Sequence, residues 1–217
     1  MQVDGLLSRI GDRTGTDKAT FHGFTQVYER FFHERRTEPL KLLEVGILRG
    51  ESLKMWEEYF PNAAIYGLDI SLQEVRTTFS QRTRVALADQ TSAEQVQGAL
   101  NHFGLGHGTL DIAIDDGGHR MSQQNRTIGI CWPFLKSGGT FIIEDVHTAF
   151  PELIGVHQHM PFDVGHLDER PTSATRIQKT MLGAPEQFPG VPVSEIRYVS
   201  FVSNVATKSF TCLIEKR

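Results

Sequence analysis

Acidic side chains follow the apolar segments in the first two thirds of this 217-residue chain. Seven carboxylates stand at or near the carboxyl ends of segments predicted to be β-strands: Glu44, Asp69, Asp89, Asp115, Asp116, Glu144 and Asp145. In open α/β sheets, ligands bind outside the carboxyl ends of the strands. A row of carboxylates there could serve a cationic ligand or a hard divalent cation, which prefers oxygen ligands. Taken one by one, about half of them are equally well explained as helix caps or solvated turns.

A glycine-containing turn follows the first of these segments, at Glu44-Val45-Gly46-Ile47-Leu48-Arg49-Gly50. Gly46 and Gly50 allow the backbone to approach a ligand closely, and the helix that follows offers free N–H groups at its start. The turn is neither the G-x-G-x-x-G of dinucleotide-binding proteins nor a phosphate-binding loop ending in G-K-[ST]. Asp69, about 20 residues beyond the glycines, is placed to accept both ribose hydroxyl groups of a nucleoside. With Asp89-Gln90 placed to meet the adenine edge, these spacings favour an adenosine-containing ligand.

The combination of short motifs resembles a known family. The E-x-G-x-x-x-G turn, the segment Tyr66–Ile70 and the pair Asp89-Gln90 resemble class I S-adenosylmethionine (SAM) methyltransferases. Three more segments narrow the resemblance to the metal-dependent sugar O-methyltransferases of macrolide pathways, the mycinamicin and demethylmacrocin 2-O-methyltransferase group. These segments are Gly15-Thr16-Asp17-Lys18, Ile114-Asp115-Asp116-Gly117-Gly118-His119 and Ile142-Ile143-Glu144-Asp145-Val146. The match covers about three fifths of the chain, and Gly118 stands where the family often has serine.

The resemblance implies a role for each matching residue. It places Mg²⁺ on Asp116, Glu144 and Asp145, and it makes His119 the general base, with Asp116 beside it in catalysis. Mg²⁺ suits this set because it takes oxygen ligands and keeps waters that substrate hydroxyl groups can displace. The resemblance places SAM on the following residues: Thr16, Asp17, Lys18, His22, Glu44, Gly46, Gly50, Asp69, Ile70, Asp89, Gln90 and Asp115.

Other interpretations of the same residues stay open at this point. His119 could be a residue at a helix start that only hydrogen-bonds locally, and the carboxylates could face the SAM ammonium without a metal. Thr16 or Asp17 could be an ordinary helix cap. A catechol or phenol O-methyltransferase, a nicotinamide-dependent oxidoreductase and a non-catalytic SAM-binding module are the alternative functions. The oxidoreductase is disfavoured by the form of the glycine turn.

Strand and helix patterns alternate along the chain, which predicts an α/β Rossmann-like fold, and the resemblance implies that it is the class I methyltransferase fold. Fully apolar strands separated by helices indicate a parallel sheet covered on both faces. Two further strands without an intervening helix predict a C-terminal antiparallel pair, giving a seven-stranded, mostly parallel sheet. The predicted strands are Leu40–Val45, Ala63–Leu68, Val85–Ala88, Leu110–Ile114, Thr140–Ile143, Ser194–Val202 and Lys208–Lys216. The predicted helices are Ser52–Phe60, Ser71–Phe79, Ser92–Phe103, Met121–Leu135 and Thr172–Met181.

The length suits a single methyltransferase domain over residues 1–217. Within it we expect an N-terminal helical cap at 1–38 and a substrate loop or lid at 146–190, because a long stretch with little regular structure inside a compact domain is usually functional. Four histidines in the lid, at positions 147, 157, 159 and 166, are interpreted as substrate contacts or surface residues, since they lack a fixed metal-binding spacing. Trp56, Tyr59 and Phe60 are expected in the core.

Composition limits the partners and the compartment. The formal net charge is −4, which argues against nucleic acid or an anionic membrane as the main partner. Cys131 and Cys212 lie far apart in apolar segments and are expected to be buried thiols in a reducing compartment. No secretory signal or membrane span is recognisable. We therefore expect a cytoplasmic enzyme, a homo-oligomer, acting on a small glycosylated acceptor.

Overall fold

A seven-stranded sheet is the centre of the computed structural model, which describes residues 4–146, 191–204 and 209–217. The strand order is β3-β2-β1-β4-β5-β7-β6. The first five strands are parallel, and β7 is antiparallel to both β5 and β6. The predicted mostly parallel sheet with a C-terminal antiparallel pair is confirmed. The strands are β1 (Lys41–Val45), β2 (Ala64–Asp69), β3 (Thr83–Leu87), β4 (Leu110–Asp115), β5 (Leu135–Ile143), β6 (Ile196–Asn204) and β7 (Ser209–Lys216).

Helices cover both faces of this sheet. Successive residues of a strand point to opposite faces, so Leu42 of β1 packs with one apolar cluster and Leu43 with the other. The first cluster includes side chains of α1, α3 and α4, and the second includes side chains of α5 and α6. The helices are α1 (Leu6–Thr14), α2 (Asp17–Thr20), α3 (Phe24–Phe32), α4 (Glu51–Tyr59), α5 (Ala93–His102) and α6 (Met121–Cys131).

Strand register places the carboxyl ends of β1, β4 and β5 side by side. Val45 of β1 is in register with Asp115 of β4, and Asp115 is in register with Ile143 of β5. The residues that follow these three positions, beginning at Gly46, Asp116 and Glu144, therefore emerge at one edge of the sheet.

Two predicted helices differ from the structure. Residues 71–79 form no helix, because this segment is held by side-chain and backbone contacts to its neighbours: the N–H groups of Arg76 and Thr77 both donate to the Arg49 carbonyl. The helix predicted at Met121–Leu135 ends at Cys131. Pro133 stands in the short 3-10 turn that follows, and it lacks the N–H that a continuing helix needs. Strand β5 consequently begins at Leu135 rather than Thr140.

The described residues test some of the remaining predictions and not others. Cys131 and Cys212 are free and buried, as expected. Among the described residues, no helix has the length and apolar character that crossing a bilayer requires. The predicted lid beyond Val146, the predicted helix at Thr172–Met181 and the four lid histidines lie outside the described residues.

Glu57 of α4 anchors the residues that directly follow the segment 71–79. Its Oε1 accepts hydrogen bonds from Ser80 N at 2.9 Å, from the Ser80 hydroxyl and from Thr83 Oγ1 at 2.8 Å. Its Oε2 accepts from Lys54 Nζ at 2.8 Å. Burial raises the pKa of Glu57, but these hydrogen bonds outweigh it and lower the pKa to about 2.

Glu57→Gln should lower the free energy of unfolding by about 2 kcal/mol, because it weakens hydrogen bonds to a buried charged group. The folded-state pKa is below the ordinary value of 4.5. The stabilisation is therefore complete above pH 4.5 and is lost as the pH falls from there toward 2. Urea denaturation at neutral and acid pH measures both effects. Glu58→Gln is the matched control, since Glu58 pairs at the surface with Arg13. Equal losses in the two variants would contradict the anchoring role.

Candidate active site

A cleft of about 590 Å³ opens at the carboxyl edge of the sheet. Its volume lies within the range of pockets that bind small molecules and cofactors. Of the residues predicted to bind a ligand or take part in chemistry, eleven line it: Thr16, Asp17, His22, Gly46, Asp69, Ile70, Asp89, Gln90, Asp116, His119 and Asp145. Residues that the sequence did not single out also contribute, among them Arg49, Ser52 and Gln123.

The glycine turn is folded tightly against the end of β4. Gly46 has φ +86°, and a Cβ built there would lie 2.0 Å from the Asp116 carbonyl oxygen. Only glycine fits at this approach. Asp69 at the end of β2 holds the other side of the turn, since its Oδ2 accepts from Ile47 N at 2.8 Å and from Leu48 N at 3.0 Å. Leu48 itself has φ +45°, an uncommon conformation for a branched side chain.

Gln90 connects the third strand end to the loop before His119. Its Nε2 donates to Thr127 Oγ1 at 2.8 Å and to Asp115 Oδ1 at 3.2 Å, and its Oε1 accepts from Gly118 N. The Gln90 amide therefore supports the Gly117-Gly118 backbone, although the residue also lines the cleft. The Asp89 side chain stabilises the turn that follows it, because its Oδ1 accepts hydrogen bonds from both Thr91 N and Thr91 Oγ1 at 2.8 Å.

The Lys18 side chain, contributed by α2, forms ion pairs at the ends of three strands. Its Nζ lies 2.5 Å from Asp116 Oδ2, 2.7 Å from Glu144 Oε2 and 3.3 Å from Glu44 Oε1. The Lys18, Glu44 and Glu144 side chains are at most 1% exposed, so water screens these pairs little. Burial lowers the pKa of Lys18, but the three carboxylates outweigh that effect and hold its pKa well above the ordinary value. The ammonium group is therefore a permanent cation beneath the cleft.

Two aromatic side chains donate further hydrogen bonds to two of these buried carboxylates. The Tyr28 hydroxyl donates to Glu144 Oε1 at 2.5 Å, and Trp56 Nε1 donates to Glu44 Oε2 at 2.8 Å. Burial and the nearby Asp116 raise the pKa of Glu144 well above its ordinary value, although Lys18 opposes this. Trp56 is buried in the core as predicted, as are Tyr59 and Phe60. The sequence prediction missed Tyr28, whose only signal is a hydroxyl in the apolar helix stripe it forms with Phe24 and Phe32.

Five residues that the sequence assigned to SAM or to a metal do not line the cleft: Lys18, Glu44, Gly50, Asp115 and Glu144. Gly50 is the residue before α4, and a Cβ there would meet the Phe79 ring. Asp115 is buried, and this burial raises its pKa to about 8, although hydrogen bonds from Gly117 and Gln90 oppose the rise. Glu144, predicted as a metal ligand, accepts a hydrogen bond from Lys18 at Oε2 and one from Tyr28 at Oε1.

A different set of side chains has the geometry of a metal site. Asp116, His119 and Asp145 each offer one ligand atom, and these atoms all lie within 4.8 Å of one another. Two ligands of one divalent ion, each at about 2.0–2.3 Å from it, lie at most about 4.6 Å apart, so small side-chain adjustments would let this set share an ion. Asp145 has φ +51°, an uncommon backbone conformation for this residue, and lies beside two imidazoles. Its Oδ2 is 3.7 Å from His119 Nε2, and its Oδ1 is 3.7 Å from His22 Nδ1.

The characterised proteins that match this chain in sequence are named O-methyltransferases. No family model matches the chain. Mycinamicin VI 2''-O-methyltransferase from Micromonospora griseorubida is 34% identical over 152 residues, which is 66% of this chain and 37% of the relative. Demethylmacrocin O-methyltransferase from Streptomyces fradiae has the same identity over 152 residues and the same shares of each chain. The chain thus spans less than two fifths of the length of the curated relatives it matches.

Solved structures agree with the sequence comparison. The MycE methyltransferase of the mycinamycin biosynthetic pathway, in complex with Mg, SAH and mycinamycin VI, superimposes with a TM-score of 0.71. It is 26% identical, and the match covers 97% of this chain and 54% of that chain. This likeness and the strand order together show the class I methyltransferase fold.

Replacing Lys18 by methionine should lower the free energy of unfolding by about 3–5 kcal/mol, because it leaves buried carboxylates without their cation. Adding Glu144→Gln should restore part of that loss, since one buried carboxylate is then removed. Urea denaturation of the single and double variants measures the coupling.

Lys136→Met is the matched control for this prediction. Lys136 is 42% exposed and pairs with Asp111, which Arg35 also contacts, so the control should lose less than about 1 kcal/mol. A Lys18→Met variant as stable as the control would contradict the buried-cation account, as would a double variant that recovers nothing.

Proposed function

The chain has the class I methyltransferase fold and is related in sequence to macrolide sugar O-methyltransferases, and from this premise we propose that it methylates a hydroxyl group of a glycosylated small molecule. The methyl donor is SAM, and a divalent cation, Mg²⁺, assists. The proposal rests on how close the candidate SAM-binding turn lies to the candidate metal ligands. The glycine turn that would bind SAM packs directly on Asp116, a member of the candidate metal cluster.

The SAM-binding part of the proposal is supported by one side of the cleft. Gly46 and the residues after it leave room for a ligand, and Asp69 ends β2 with its carboxylate at the cleft. A carboxylate in this place is suited to ribose hydroxyl groups. Ile70 is a largely exposed apolar side chain on the cleft wall, where it can cover a flat base. Thr16, Asp17 and His22 also line the cleft.

The metal-binding part is supported by Asp116 and Asp145. Both carboxylates reach the cleft from neighbouring strand ends, and Lys18 holds Asp116 from the buried side through Oδ2. When bound at these residues, SAM supplies an electrophilic methyl group and Mg²⁺ supplies a Lewis acid that stabilises an alkoxide. Glu144 supports this arrangement from below, since it shares the Lys18 ammonium with Asp116.

His119 is proposed as the general base. Its side chain is 38% exposed at the cleft, and Nε2 lies next to the Asp145 carboxylate. A sugar hydroxyl group has a high pKa and is a weak nucleophile until it loses its proton. Nε2 would accept that proton, and Asp145 would stabilise the imidazolium that forms. The hydrogen bond from Gly118 N to Gln90 fixes the backbone immediately before His119.

For the methyl acceptor we propose a chemical class and not a particular compound. The relatives carry the names of methyltransferases acting on sugars of macrolides or tetracenomycins. A vicinal diol of such a sugar offers two oxygens to a hard cation, which matches a site built from two carboxylates. We therefore expect a glycosylated polyketide, and we expect simple phenols and catechols to be poorer acceptors.

Removal of divalent ions should abolish methyl transfer while SAM binding changes little, because the carboxylates and not the glycine turn hold the metal. Mass spectrometry against a panel of glycosylated macrolides, phenols and catechols measures transfer, and calorimetry measures SAM binding. Added Mg²⁺ should restore activity to the wild type and much less to Asp145→Asn. Full turnover after EDTA treatment and dialysis would contradict the metal-dependent proposal.

A further inference from the structure

The histidine proposed as the base lies within coordination reach of the candidate metal ligands. The His119, Asp116 and Asp145 donor atoms lie within 4.8 Å of one another. His119 follows Gly117 and Gly118 at the start of α6, and its side chain lies outside the hydrophobic core. One ring nitrogen of His119 is therefore close enough to both carboxylates to share an ion with them.

Divalent ions differ in how strongly they use an imidazole. Mg²⁺ prefers oxygen ligands and retains several waters, so it leaves a neighbouring histidine outside its coordination sphere. Zn²⁺ binds imidazole nitrogen at about 2.0–2.1 Å and readily takes mixed histidine and carboxylate ligands. The same three side chains thus present two different sites, according to the ion that enters.

We infer that the cleft has a second metal-binding mode, in which Zn²⁺ binds Asp116, Asp145 and the His119 imidazole and holds the enzyme inactive. The ring nitrogen that coordinates Zn²⁺ has its lone pair in the metal bond and cannot accept a proton from the acceptor. Mg²⁺ and Zn²⁺ compete for the two carboxylates, so their ratio would set the fraction of active enzyme. The inhibitory consequence rests on the proposed function, whereas the Zn²⁺ site itself does not.

His22 provides an internal comparison. Its Nδ1 lies 3.7 Å from Asp145 Oδ1, and its ring stacks on Phe24 with centroids 5.0 Å apart and an interplanar angle of 5°. It lies beside Asp145 but is not a member of the three-residue set. His22 is thus an imidazole at the same cleft that should contribute little to Zn²⁺ binding.

Displacement of Mn²⁺ tests this inference without any substrate. Mn²⁺ bound to the protein loses its sharp solution EPR signal, so Zn²⁺ added to the Mn²⁺-loaded protein can be followed by the signal of released Mn²⁺. We expect near-stoichiometric Zn²⁺ to release Mn²⁺ from the wild type and from His22→Asn. His119→Asn should require at least about tenfold more Zn²⁺, because it lacks the nitrogen ligand that favours Zn²⁺. Its Mn²⁺ affinity should change less than about threefold, since Mn²⁺ relies on the carboxylates.

Equal Zn²⁺ displacement in the wild type and His119→Asn would overturn the inference. A zinc K-edge absorption spectrum of the wild type, with the outer-shell scattering of one imidazole, gives the same test without a variant. In turnover assays at fixed Mg²⁺, Zn²⁺ that releases bound Mn²⁺ should stop methyl transfer, and unchanged turnover would refute the inactive state. Failure of the proposed function itself would look different: no acceptor would be methylated with Mg²⁺, while metal displacement proceeds as described.

Discussion

The ion pairs of the buried Lys18 ammonium group are the interactions on which the carboxyl edge of the sheet depends. The ammonium group binds carboxylates from β1, β4 and β5 at once, and it connects these strand ends to the helices that precede the sheet. A charge removed from water is costly unless it is paired and hydrogen-bonded. Here the pairing is nearly complete, because Tyr28 and Trp56 supply further hydrogen bonds to Glu144 and Glu44.

This arrangement divides the carboxylates of the strand ends into two groups. Glu44, Asp115 and Glu144 are buried and form hydrogen bonds within the protein, whereas Asp69, Asp89, Asp116 and Asp145 line the cleft. Asp116 belongs to both environments, since Lys18 binds its Oδ2 while the residue reaches the cleft. The buried group fixes the positions of the strand ends, and the cleft group is left to meet ligands. The strand ends are thus held mainly by buried ion pairs, and Asp116 is the member of these pairs that also reaches the cleft.

The chain's apolar patterning predicted the sheet well, because a parallel strand buried on both faces is a short run of apolar residues. It failed at residues 71–79, where Arg76 and Thr77 donate to the Arg49 carbonyl, and where Ser80, the next residue, donates to Glu57. The carboxylates at the strand ends were predicted as one row, yet of the adjacent Glu144 and Asp145 only Asp145 lines the cleft, and Glu144 pairs with Lys18. Their difference depends on a lysine 126 residues away, and no local pattern reports such a contact.

The central claim is that a divalent cation sits between Asp116 and Asp145, and anomalous diffraction from crystals grown with S-adenosylhomocysteine and Mn²⁺ tests it most directly. The account predicts an anomalous peak within about 2.0–2.3 Å of oxygens from both carboxylates, with Glu144 still bound to Lys18 and Tyr28. A peak centred on Glu144 with Lys18 displaced, or no peak at the cleft at saturating Mn²⁺, would contradict it.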